Sequence, residues 1–118
     1  MGRRAVLIKG AINLEREAVK PPEACTSLAD IRTEIDRIDE QIIRLIGQRA
    51  RYVRVAAQFK TTQAHVRDEA RVQAMLVPRR EWATAAHLDP DMIERLYRML
   101  VDYFIQEETT HWNTLKQP

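Results

Sequence analysis

Leu28, Ile31, Ile35, Ile38, Ile42 and Leu45 recur at alternating spacings of three and four. After Arg49 the pattern resumes through Tyr52, Ala56 and Phe59. This is the period of one face of an α-helix. A helix over residues 28 to 60 would be ~48 Å long at 1.5 Å per residue. Two shorter helices from the same chain can hardly cover it, and an uncovered apolar stripe of that length is a liability in water. The pattern therefore predicts a homodimer of intertwined helices, against the simpler alternative of a monomeric bundle whose first helix frays.

The rest of the chain agrees with an all-α class. Only 3 of 118 residues are glycine, 31% are charged and 45% hydrophobic, a balance that suits helices better than sheets. Thr26 or Ser27 is a good N-cap for the long helix, with Asp30 three residues after Ser27 as in a capping box. Gly47 inside it costs about 1 kcal/mol against alanine and is expected to allow close packing or to leave room for something bulky. "TTQAHVR" (61 to 67) reads as a loop. A second helix is expected from about Asp68, carrying Val72, Met75, Leu76 and Trp82 inward, with Pro78 kinking or restarting it. "HLDPDM" starts a third helix, with Asp89 as N-cap and Pro90 in the first position. This helix is expected to run to about Trp112 with Ile93, Leu96, Tyr97, Leu100, Phe104 and Glu108 on one side. The organisation expected is an N-terminal extension, residues 1–20, followed by one helical domain, residues 21–118.

Several classes of function are disfavoured. A net charge of +2 and a pI of about 8.9 are too mild for nucleic-acid binding, where a clustered basic face is expected, but suit a small anionic substrate. His65, His87 and His111 show no metal-ligand spacing, and no metal or cofactor is expected. No stretch approaches the roughly 20 apolar residues of a membrane span. The apolar run Ala5 to Ile8 is too short for a secretion signal. One cysteine, Cys25, points to a reducing compartment, the cytoplasm.

Charge interrupts both apolar faces, at Arg49 on the first helix and Glu108 on the third. Buried charge is costly unless paired. One reading is a salt bridge between these two residues. The other is a polar pocket in a helical bundle, where bundles build their sites. Lys60 lies eleven residues after Arg49, a rotation of only about 20° on a helix, and Arg71 opens the second helix. Arg32 is 17 residues before Arg49, roughly 25 Å along the axis, so the two meet one small ligand only if Arg32 comes from the partner of an antiparallel dimer. Such cations, without a nucleophile–base pair, suit a ligand with more than one carboxylate and chemistry by positioning and electrostatics.

"LADIRTEIDRIDEQIIRLIGQRARYVRVAAQFK" followed by "VRDEARVQAML" resembles the all-helical chorismate mutase family over residues 21 to 112. With "PPEACTSLADIR" before it, the likeness is closer to the branch of isochorismate–pyruvate lyases, which make salicylate for siderophores. The resemblance implies an intertwined dimer with two equivalent sites. In each, Arg32 of the partner chain and Arg49 bind substrate carboxylates, Lys60 contacts the ether oxygen and a carboxylate near a mobile loop, and Arg71 supports binding. The reaction implied is pericyclic: chorismate to prephenate, or isochorismate to salicylate and pyruvate. Two positions depart from the dedicated bacterial mutases. Val72 stands where they carry a Glu that binds the ring hydroxyl, as in the lyase branch. Glu108 stands where many bacterial members carry Gln, and fungal mutases carry Glu. A Glu donates a hydrogen bond only when protonated. The alternatives are a dedicated chorismate mutase of aromatic amino acid synthesis and, from another class, a non-catalytic helical interaction module.

Overall fold

A computed structural model describes residues 20–60 and 68–116, with side chains as far as His111. The regular structure among the described residues is all helical: a 3-10 turn at Pro22–Ala24, then α1 (Leu28–Ala57), α2 (Glu69–Ala85) and α3 (Pro90–Lys116). By packing, the chain divides within α1, between Arg51 and Tyr52. Of the N-terminal extension only Lys20 lies among the described residues, and the expected loop 61–67 lies outside them.

In the first unit, Ser27 is the N-cap of α1. Its Oγ accepts from Asp30 N at 3.1 Å, satisfying one of the helix's orphan amides. The reciprocal half of the box is displaced by one residue, because Asp30 Oδ2 accepts from the amide and hydroxyl of Thr26, both at 3.2 Å. Lys20 Nζ adds a third bond at 3.2 Å. The Thr26 amide, followed by Lys20, holds the Asp30 carboxyl below its ordinary range.

The apolar stripe stays open among the described residues. Leu28, Ile31, Ile35, Ile38, Ile42 and Leu45 are each 41–59% exposed. A Cβ added at Gly47 would meet nothing within 4 Å. Within the described chain the glycine is therefore not explained by close packing.

The second unit begins with the last turns of α1. The helix stops at Ala57, short of the expected Lys60, because the chain tightens there. Gln58, Phe59 and Lys60 each donate to the carbonyl three residues back, the 3-10 pattern common at helix ends. Lys60 thus sits just beyond the helix, and a rotation about the helix axis does not fix its direction.

Packing of α2 on α3 forms the core of this unit. Val72, Met75 and Leu76 are buried together, with Tyr97 and Val101 packed against them. Two features of α2 refine the expectation. Of the kink or restart expected at Pro78, the restart does not occur: the helix continues through it. Pro78 removes one helical donor in this turn, and Arg79 Nη1 donates to the Met75 carbonyl at 2.8 Å. Trp82, expected inside, is 60% exposed, and its ring covers the Arg79 guanidinium, 5.3 Å from the centroid. Tyr97 covers the same guanidinium at 5.2 Å.

The connection to α3 is a Schellman turn. His87 has φ 62°, Leu88 N bonds to Ala83 O at 2.8 Å, and His87 N bonds to Thr84 O at 3.0 Å. Asp89 then opens α3, its Oδ1 accepting from Asp91 N at 2.9 Å.

Candidate active site

Two of the expected site residues meet. Lys60 Nζ donates to Glu108 Oε2 at 2.9 Å. The Glu108 side chain is only 9% exposed and that of Lys60 29%, so the pair is sheltered from water and from salt screening. Glu108, whose charge was open to balance by Arg49, takes Lys60 as an ion-pair partner. An ammonium has three donors. Among the described residues Glu108 is the one side-chain acceptor of Lys60, which leaves two N–H for an incoming oxygen.

Beside this pair lies a second that the sequence reading did not single out. Arg54 Nε and Nη2 donate to the two carboxylate oxygens of Glu107 at 2.9 and 3.1 Å. This fork geometry is the strong form of an ion pair. Each partner, chiefly through these bonds, holds the other in its charged form: the Arg54 pKa is raised and that of Glu107 lowered. The available signal was the doublet Glu107-Glu108, of which only Glu108 falls on the apolar face.

Arg71 stands on the first turn of α2, where its amide donates to the capping Asp68 Oδ1 at 3.1 Å. Its side chain is exposed and, among the described residues, makes no ion pair. Val72, expected at the substrate, has its side chain in the hydrophobic cluster with Met75 and Leu76, 6% exposed.

In the first unit Arg32 is exposed, likewise without an ion pair among the described residues, and Arg49 is partly buried. Helix α1 runs unbroken past both, so they stand about 25 Å apart along it. No small ligand spans that distance within one chain. Among the described residues no group of three or more His, Cys, Asp or Glu is gathered to hold a metal. No described helix is long and apolar enough to cross a membrane.

The sequence that folds into this all-helical arrangement has relatives among known proteins. The sequence pattern of the chorismate mutase type II family matches residues 31–109. The chain belongs to that family. It is also 42% identical, over 94 residues, to the isochorismate pyruvate lyase of Pseudomonas aeruginosa, a match covering 80% of this chain and 93% of the relative.

Proposed function

We propose that this chain is an isochorismate–pyruvate lyase with chorismate mutase activity, working as a homodimer in the cytoplasm. The carrying observation is the sheltered Lys60–Glu108 pair in a chain so similar to a lyase. The substrate is a dicarboxylate whose reaction needs no enzyme nucleophile. In isochorismate, the hydrogen on the ring carbon bearing the hydroxyl moves to the enolpyruvyl methylene as the ether C–O bond breaks. The ring becomes salicylate and the side chain pyruvate. Negative charge builds on the ether oxygen as that bond opens. Lys60 offers a preformed cation there, of a kind worth several kcal/mol to the transition state.

The carboxylates fall to arginines. Arg49 takes one from its own chain, Arg32 of the partner chain takes one across the interface, and Arg71 supports binding from α2. Val72, its side chain in the buried cluster, leaves no carboxylate where dedicated mutases place a Glu. Two observations support the shared site: the 25 Å separation along an unbroken helix and the open stripe from Leu28 to Leu45. One partly buried cysteine, Cys25, suits a reducing compartment.

The second reading is a dedicated chorismate mutase, favoured by Glu108 because fungal mutases carry Glu there. Incubating the purified protein with each substrate and separating the products decides between them. Salicylate from isochorismate is expected, with slower prephenate formation from chorismate. No salicylate would sink the lyase reading and no prephenate the mutase one. Arg49→Ala tests the non-catalytic alternative: a variant as fast as the parent would remove Arg49 from the machinery.

A further inference from the structure

The Lys60–Glu108 pair has a neighbour with no role in the chemistry above. Arg54 lies six residues before Lys60, on the last turns of α1, and Glu107 is next to Glu108 on α3. The guanidinium is fixed from two directions. Glu107 holds it by two bonds at 2.9 and 3.1 Å. Phe104 lies beneath it, 5.6 Å from guanidinium carbon to ring centroid. Phe104 is itself buried at 6% exposure and braced edge-on by Tyr103, 5.0 Å between centroids. It precedes Glu108 by one helical turn, so the two share a face of α3.

The segment between Arg54 and Lys60 needs such an anchor. Helix α1 ends at Ala57, and the three residues after it are held by single bonds three residues back. Among the described residues, the one ion pair of Lys60 is with Glu108. A flexible four-carbon stem on a tapering helix end aims poorly by itself. A planar fork with two parallel bonds fixes both distance and rotation.

We propose that Arg54 is a positioning residue: its fork bond to Glu107, seated on Phe104, pins the end of α1 to α3 and so aims the Lys60 ammonium at the position it shares with Glu108. This rests on the reading that Lys60 contacts the reacting atoms, and the experiment separates the two ideas.

Steady-state kinetics on isochorismate would be measured for Lys60→Ala, Arg54→Gln, Arg54→Lys, Glu107→Gln and the Arg54→Gln/Glu107→Gln double variant, with thermal melts of each. Lys60→Ala is expected to lose at least about a hundredfold in kcat. A parental rate there would overturn the Lys60 reading itself. Given that loss, Arg54→Gln is expected to lower kcat roughly tenfold with KM changed less than about threefold, the signature of a misplaced group. Arg54→Lys keeps the charge but not the fork, and should lower kcat as well. It also serves if Arg54→Gln does not fold. The double variant should be no slower than the slower single variant, because the pair acts as one unit. Two results would overturn the inference while leaving Lys60 in place. One is lower melting with unchanged kcat, which would make the pair purely structural. The other is independent, multiplicative losses from the two positions.

Discussion

Among the described residues His87 is the non-glycine with a positive φ, 62°. It occupies the left-handed position that closes α2, where glycine is the usual choice because a Cβ crowds the neighbouring carbonyl. His87→Gly should relieve that strain, against some added freedom in the unfolded chain. A net gain of about 0.5–1 kcal/mol is expected, visible as a higher denaturant midpoint with unchanged slope. Glu108 carries a prediction of a different kind. It faces the Lys60 ammonium at 2.9 Å, and Glu108→Gln keeps its shape while removing the charge. A changed kcat with a similar melting temperature is expected if the carboxylate acts through Lys60. A variant with the parent's kcat would take the Glu108 charge out of that role. Such single-residue features differ in how far the sequence discloses them. Asp89 and Pro90 spell out the start of α3 in their own chemistry. Arg54 looks like any solvated charge until α3 is laid beside it.

The elements are tied at their ends and seams, and these ties set the response to acid. Asp30 at the start of α1, Glu107 opposite Arg54 and Glu94 on α3 all have depressed carboxyl pKa values. For Glu94 the main cause is Arg98, which donates at 3.0 Å, followed by Arg80 at 2.9 Å. A carboxyl depressed in the folded state binds protons more weakly there than in the unfolded chain. Its stabilisation is complete above the ordinary values of 3.8 for Asp and 4.5 for Glu and is lost as pH falls through the lower folded values. Unfolding midpoints should therefore drop below about pH 4.5, and Asp30→Asn should lessen that dependence. In the seam between α2 and α3, Leu76 is 3% exposed, and Leu76→Ala should cost about 2–5 kcal/mol in chemical denaturation. Element type and most boundaries were legible because period and caps are local. Three details were not. The stop at Ala57 comes from backbone tightening with no breaker residue. The passage of α2 through Pro78 is accompanied by an arginine one residue on. Trp82 faces outward over that same arginine, a pairing that apolar periodicity does not register.

At the scale of the molecule, the proposed assembly makes the candidate site a joint property of two chains. Arg32→Ala and Arg49→Ala should each inactivate the enzyme as pure preparations. Co-refolded in equal amounts they should regain roughly a quarter of the parental activity, since half the dimers are mixed and each mixed dimer has one site with both arginines. No recovery on mixing would mean that the two arginines do not come from different chains. The length of α1 was legible in the stripe. The meeting of Lys60 and Glu108 was not, because contact between residues 48 positions apart depends on how α3 returns.

The open stripe of α1 also bears on how the protein is made. Helix α1 leaves the ribosome before α2 and α3, displaying six large aliphatic side chains that stay 41–59% exposed in the folded chain. On the proposed assembly, relief comes only from another newly made chain. Two ribosomes following each other along one message supply that chain at high local concentration, whereas a sparse message leaves the segment to chaperones. Yield of active enzyme should then rise more steeply than message abundance, and a charge at Ile35 or Ile38 should lower the amount of folded protein before it lowers any rate constant.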